Sequence, residues 1–370
     1  MKKKKLLVVL QQLRRGGVEL AAINFASHLS KEKYDITYYL VDIESNHDES
    51  LEKEILSREA KIIKAPKAAH GYLRGYLNAK KVISEGKYDI VHSHVMFFSG
   101  IIAAAAKKCG VKKIITHSHG TKWNHRENIL FKAYKAAMRR LINANATHRL
   151  ACCKAAGEYL YGKEEYEKSG IFVPNGIDCA KYAFSEAVRR EVREELGIKS
   201  DELLIGHIGT VYKIKNQVFL AEIFAKMLET EPNARLLLAG ERVDDAPVIK
   251  KAQDLGIESK IIFAGQRSDV DRLLQGFDIM IFPSLFEALP VSLIEAQAAK
   301  LPCLISASVT KEVAFNANTA FMPLFESAEK WSEKAFELIK QDRNEINTAA
   351  LVKNYDISAA AETLDKIYSD

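Results

Sequence analysis

Two glutamates with seven residues between them, Glu287 and Glu295, stand in the stretch Phe282-Pro283-Ser284-Leu285-Phe286-Glu287-Ala288-Leu289-Pro290-Val291-Ser292-Leu293-Ile294-Glu295-Ala296. An apolar run ends at Pro283, a polar loop carries Glu287, and a helix is predicted to open near Pro290, where proline suits the first turn. The start of such a helix presents unpaired backbone N–H groups and a positive dipole end, which suits a diphosphate. Glu295, about one turn in, is placed to accept hydrogen bonds from both hydroxyls of a ribose, and Glu287 can face a sugar. The plainer alternative makes Glu287 an ordinary loop residue and Glu295 a partner for a surface lysine such as Lys300.

Histidines form a second constellation. His92-Ser93-His94 and Thr116-His117-Ser118-His119-Gly120 each end a predicted strand, where residues two apart share a face. Four such imidazoles suit zinc. The competing reading, which we favour at this level, packs one histidine of each pair into the core as a neutral ring, and no metal site is expected.

Three other motifs fail on inspection. Gly157–Lys163 has phosphate-loop glycine spacing, but Glu164 stands where Ser or Thr must hold magnesium and the stretch reads as helical. No Gly-x-Gly-x-x-Gly follows the first strand. Asp269-Val270-Asp271 is formally an Asp-x-Asp clamp, yet Ser268-Asp269 reads as a cap for the helix through Leu273-Leu274.

The elements that must hold these residues alternate short apolar runs with helical patterns, the signature of parallel sheets covered by helices. Strands are predicted at 6–10, 36–41, 89–92, 113–117 and 148–152, and again at 203–208, 234–238, 260–263, 278–282 and 302–305. Helices are predicted between them, at 217–228, 247–255, 270–275, 291–299 and 327–340 in the second series. Phe172–Asp178, with Pro174, Asn175 and Gly176, reads as a hinge. The expected organisation is a domain over 1–170, a second over 171–345 and a helical tail over 346–370 that packs back toward the first. Two doubly wound α/β domains facing each other across a cleft would bind ligands at the carboxyl ends of their strands.

Charge supports the division. Residues 1–180 hold 31 Lys+Arg against 18 Asp+Glu, a net +13, so the remainder of the +6 chain carries −7. A basic first half points to an anionic partner. In that half Lys122, Trp123, His125, Arg126, Lys132, Lys135, Arg139 and Arg140 interleave with Leu130, Phe131, Tyr134, Met138 and Leu141 at near-helical spacing. This pattern suits an anionic membrane surface or a lipid diphosphate, and equally an ordinary surface helix. No nucleic-acid module is visible. The five cysteines show no Cys-x-x-Cys spacing, which fits a reducing cytoplasm. The run Leu6–Leu10 after the N-terminal lysines is too short for a signal peptide, and no stretch approaches a membrane span.

Taken in order, Arg15-Gly16-Gly17-Val18-Glu19, Val173–Asp178, Gly209 with Lys215-Asn216, Ala239-Gly240-Glu241, Gly265–Val270 and the paired glutamates resemble the family 4 retaining glycosyltransferases. These have the GT-B fold and use nucleotide-activated sugars; the likeness spans nearly the whole chain and is nearest to bacterial exopolysaccharide and capsule enzymes. The resemblance implies that Glu295 binds the ribose, while Glu287 with the backbone of Ala288, Leu289 and Pro290 contacts donor sugar and diphosphate. Lys215 would offset the charge of the leaving diphosphate beside Gly209, Thr210 and Gly240. Gly16 and Gly17 would allow close backbone approach, and Gln266, Arg267 and Ser268 would hold the base. It further implies a histidine near the donor sugar, His119 first and His117 second, and no divalent metal or other cofactor. Thr210 stands where many members have arginine, which removes a bidentate phosphate ligand; Lys213 is a candidate substitute. Ala288 and Lys300 also stand where glycine is frequent.

The expected activity is transfer of a sugar from a nucleoside diphosphate donor, UDP-linked, to a glycan or lipid-linked acceptor in cell-surface polysaccharide synthesis. The expected place is the cytoplasm, at the inner face of the membrane, without nucleic acid as partner. The alternatives are a catalytically weakened subunit that binds a nucleotide or a partner enzyme, and a nucleotide-sugar epimerase of similar architecture.

Overall fold

The computed structural model describes residues 2–14, 16–42, 48–66, 71–121, 128–287 and 289–369. The chain divides into two units, 1–177 with 357–370, and 178–356.

The first unit is a seven-stranded parallel sheet of β1 (Lys4–Leu10), β2 (Tyr34–Leu40), β3 (Lys61–Lys64), β4 (Ile90–Ser93), β5 (Lys113–Ser118), β6 (His148–Ala151) and β7 (Gly170–Phe172), in the order β3-β2-β1-β4-β5-β6-β7. β1 runs through its middle, so both its faces are covered. Leu6, Val8 and Leu10 enter one apolar cluster with Phe25 and Leu364; Leu7 and Val9 enter the other with Ile83 and Ile102. Each such side chain contributes about 1.5–3 kcal/mol of burial, which is why the strand reads as an unbroken apolar run.

The division departs from the sequence boundaries at both ends. Gly170–Phe172 pairs with β6, and Val173 N–H donates to Ala151 O, so the first unit runs past residue 170 and the boundary falls after Ile177, within the predicted hinge. Residues 346–356 belong to the second unit. Only the last helix, Ile357–Ser369, returns to the first, beginning with Ile357 N–H donating to Ile177 O. Lys4 Nζ then donates to Tyr368 O, and Lys33 Nζ pairs with Asp365 at 2.7 Å.

The second unit is a six-stranded parallel sheet of β8 (Leu204–Ile208), β9 (Arg235–Ala239), β10 (Ile261–Gly265), β11 (Ile279–Phe282), β12 (Cys303–Ser306) and β13 (Thr319–Met322), in the order β10-β9-β8-β11-β12-β13. Its base is fastened by Asp278, whose carboxylate accepts from Arg189, from Arg193 at 3.1 Å and from Leu204 N–H at 2.7 Å. Half-buried Arg343 donates to the carbonyls of Phe277 and Ala299, and desolvation draws its guanidinium down to about 9.

In both sheets the order reverses once, between β1 and β4 and between β8 and β11. Chains leaving adjacent strands in opposite directions open a crevice at the carboxyl ends, where doubly wound folds bind ligands. Gly157 lies in the helix Lys154–Tyr161, so the phosphate-loop spacing is indeed helical.

Candidate functional site

At the second unit's reversal point, the loop after β8 and the loop after β11 are tied together. Leu285 N–H donates to Ile214 O at 2.8 Å and Asn216 Nδ2 to Pro283 O at 3.1 Å. Across them Lys215 Nζ lies 2.6 Å from Glu287 Oε1, both side chains largely buried. Lys215 also sits 4.8 Å over the Phe282 ring, whose plane stacks on His207 at 5.2 Å. His207 donates through Nδ1 to Ile281 O; burial pulls it down to about 4, so the ring is neutral. The ammonium is therefore held by a carboxylate and an aromatic face at the mouth of the reversal.

Gly209 and Gly240 end β8 and β9 with φ of +154° each. A Cβ on Gly240 would lie 2.1 Å from Gly209 O, so two backbones touch where a side chain cannot fit. Gly240 N–H continues to Gly265 O at 2.8 Å. Thr210 O accepts from Gln217 Nε2 at 3.0 Å. Lys213 is exposed. The sheet thus brings Gly209, Thr210, Lys215, Gly240 and Glu287 together.

Glu295 lies on the helix Val291–Ala298, with Pro290 at its N-cap rather than in its first turn, and with no capping side chain there. Buried Gln297 locks this helix: its Nε2 donates to Val313 O at 2.6 Å and its Oε1 accepts from Phe315 N–H at 2.9 Å. Glu295 Oε1 accepts from Tyr182 Oη at 2.8 Å, not from Lys300, whose Nζ goes to Asn344 O. Burial pushes the Glu295 carboxyl above its ordinary range, against the opposing Tyr182 hydrogen bond. Lys300 has φ +55°, the left-handed conformation that explains glycine's frequency there. Leu289 is buried, and Ala288 lies outside the described residues.

Gln266, Arg267 and Ser268 are exposed after β10, two strands from β8, about 10 Å across the sheet. Here the cap expected of Asp269 is corrected: it stands at the N-cap without a capping bond, because its carboxylate accepts from Arg267 Nε at 2.8 Å and Nη2 at 2.6 Å. Asp271 pairs with Lys181 at 3.3 Å, so both carboxylates of the Asp-x-Asp clamp are committed to cations of the chain.

In the first unit Gly16 caps the helix Gly17–Ser27, and a Cβ on it would lie 2.4 Å from the Glu19 carboxylate. A Cβ on Gly17 would meet nothing within 4 Å among the described residues, so Gly17 is the one open to an approaching group. Arg15 lies outside them. His119 Nδ1 is 2.7 Å from Asn175 Oδ1 and its Nε2 is 2.8 Å from His94 Nδ1; burial draws it down to about 4. His117 has no exposed surface: its Nε2–H donates to Val173 O at 3.0 Å, and its ring stacks between Phe25 and His92. His117 is thus a core ring, and His119, 9% exposed, is the one at the rim. Sequence reasoning missed Tyr182, Asn175 and His94 as partners of the site residues.

The predicted basic helix runs Ile129–Asn145; residues 122–127 lie outside the described residues. Arg139 is spent inside the fold, donating to Leu160 O and Tyr159 O.

Fold, reversal-point loops and paired glutamates define a GT-B glycosyltransferase. The Glycosyltransferase Family 4 model matches residues 15–181 and the group 1 glycosyl transferase model residues 188–350. The chain is 33% identical over 315 residues to "Putative glycosyltransferase EpsF" of Bacillus subtilis, covering 84% of this chain and 81% of that one. It is 26% identical to the UDP-Gal:alpha-D-GlcNAc-diphosphoundecaprenol alpha-1,3-galactosyltransferase of Escherichia coli, over 63% of this chain and 62% of that one. The structure of HepE from Anabaena, solved in complex with UDP-glucose, superposes with a TM-score of 0.81 over 99% of both chains at 15% identity. The chain belongs to the family 4, group 1 glycosyltransferases, and it is an enzyme of that class.

Proposed function

We propose that the chain is a retaining transferase that moves a sugar from a UDP-linked donor to a glycan or lipid-linked acceptor in cell-surface polysaccharide synthesis. The observation that carries this reading is the Lys215–Glu287 pair at 2.6 Å on the reversal-point loops, with Glu295 on the helix that follows. Support for the donor class comes from the Escherichia coli galactosyltransferase and from HepE; support for the pathway comes from the CapH capsular polysaccharide enzyme of Staphylococcus aureus, 23% identical over 83% of this chain.

In this reading the diphosphate lies against the Gly209 and Gly240 backbones and the uncapped start of the Val291–Ala298 helix, with the ribose on Glu295. The bond from the anomeric carbon to the β-phosphate oxygen breaks and the acceptor oxygen bonds to the same face. The acceptor proton passes to the departing diphosphate, whose charge Lys215 offsets. Because Asp269 and Asp271 are ion-paired within the chain, the proposed reaction uses no divalent metal at the diphosphate.

The acceptor side belongs to the first unit and works at the inner face of the membrane. Tyr72, Leu73 and Leu77 on the helix Tyr72–Gly86 and Ile129 and Leu130 on the basic helix Ile129–Asn145 are exposed, and Tyr72 stacks on Tyr134 at 4.9 Å, which joins the two helices at that point. No helix among the described residues is long and apolar enough to cross a membrane. The test is turnover of a panel of nucleotide sugars with a lipid-linked acceptor. Full transfer rates in Glu295→Ala and Lys215→Ala would overturn the site, and sugar inversion without acceptor would favour an epimerase.

A further inference from the structure

We propose that His92, His94 and His117 form a binding site for a borderline divalent metal ion of the zinc class inside the first unit, apart from the diphosphate chemistry. β4 carries His92 and His94 follows just after it, held by its N–H to Val9 O; the parallel register with β5 sets His92 beside Ile115 and Ser93 beside Thr116, and the His94 and His117 rings lie 5.4 Å apart. One ring nitrogen of each lies within 4.8 Å of the other two, and all three residues are buried. Tetrahedral zinc with bonds of about 2.0–2.1 Å needs nitrogens roughly 3.4 Å apart, so binding requires the His92 and His117 rings, parallel within 3° at 5.5 Å in this structure, to turn until their lone pairs converge.

The hydrogen bonds around the cluster decide where the lone pairs are. His117 Nε2 meets the carbonyl of Val173, which can only accept, so the proton is on Nε2 and Nδ1 is bare. That Nδ1 is buried with no hydrogen-bond partner among the described residues. With the Asn175 carboxamide oxygen facing it, His119 carries its proton on Nδ1; its Nε2 therefore accepts from His94 Nδ1–H, which leaves His94 Nε2 bare. His92 Nδ1 lies 2.6 Å from Tyr368 Oη, and its Nε2 is again buried without a partner among the described residues. With the His92 proton on Nδ1, each of the three rings has one N–H engaged and one nitrogen with its lone pair unused. Ligating histidines characteristically have this arrangement, because the outer partner fixes tautomer and orientation. An all-imidazole set selects zinc, copper or nickel over magnesium or calcium. A bound ion makes the His94 N–H a stronger donor to His119, which couples occupancy to the rim histidine.

The experiment strips the full chain with chelator, dialyses it against zinc sulfate or magnesium sulfate, and counts metal per chain after gel filtration. One zinc and no magnesium per chain is expected, with zinc lost in His92→Gln and His117→Gln and retained in the surface control His28→Gln. In Tyr368→Phe, removal of the outer partner weakens zinc by about 10- to 100-fold. Substoichiometric zinc in the wild type, or equal zinc in His92→Gln and His117→Gln, overturns the proposal. Should those variants fail to fold, cobalt in the wild type decides: an intense visible band from a tetrahedral site supports it, and the weak spectrum of the hydrated ion refutes it.

Discussion

Replacing either member of the Lys215–Glu287 pair is expected to move donor affinity in opposite directions. The ammonium and carboxylate are 2.6 Å apart, and their side chains are only 14% and 19% exposed, so solvent screens them weakly. In Lys215→Met the stem still packs over Phe282, but the diphosphate meets Glu287 uncompensated. Removing one preorganised group that stabilises the leaving charge costs about 2.7–4 kcal/mol, a 10²- to 10³-fold fall in kcat/KM. In Glu287→Gln the competing anion is gone and the ammonium is free for the diphosphate. Two unit charges about 6 Å apart at an effective dielectric of 20 interact by roughly 3 kcal/mol. After partial relaxation UDP should bind tighter by about 1–3 kcal/mol, roughly five- to 150-fold, even as sugar transfer slows through the lost contact to the donor sugar. The assay is titration calorimetry with UDP beside initial-rate kinetics. Weaker UDP binding in both variants, or unchanged binding in Lys215→Met, would refute this electrostatic account.

Gly240→Ala should unfold the second unit more easily by about 3 kcal/mol or more, since the new Cβ meets Gly209 O at 2.1 Å on a backbone of positive φ; urea midpoints measure this. Glu295 gives a pH signature: its carboxyl is raised by burial, so the proton is held more tightly when folded, and its contribution to stability is present at low pH and fades as pH rises through the raised value. The carboxylate proposed to accept the ribose appears over that same rise, so UDP affinity should climb with pH from the mildly acidic side more steeply in the wild type than in Glu295→Gln. Parallel curves would exclude Glu295 as the titrating ligand. For the proposed membrane contact, Ile129→Glu with Leu130→Glu removes two apolar groups worth about 1.5–3 kcal/mol each, so co-sedimentation with anionic vesicles should fall at least tenfold. Equal sedimentation of the variant would move the contact elsewhere.

Much of the site was legible before the fold was known because its parts are local. The loop carrying Glu287 and the helix carrying Glu295 lie within one stretch, and the glycines after β8 and β9 mark strand ends by their own conformational needs. The cap assigned to Asp269 failed because Arg267, two residues away, offers a charged bidentate partner that outcompetes backbone N–H groups. Lys61–Lys64, Gly170–Phe172 and Thr319–Met322 went unread as strands, and all three are edge strands, short and covered on fewer sides. An edge strand needs no continuous apolar run, so its sequence carries little signal.

The sequence by itself determined two parallel α/β units, a basic and an acidic half, and the carboxylates and lysine of the candidate site, because periodicity and motif spacing are properties of neighbouring residues. The tertiary structure alone decided which groups those residues meet. Tyr182 reaches Glu295 across 113 positions and Asn175 reaches His119 across 56, and the last helix delivers Tyr368 to His92 across 276. Which histidine is core and which is rim, and which nitrogens keep a lone pair, follow from those distant partners, since a tautomer is fixed by whatever accepts the proton at the other end of the ring.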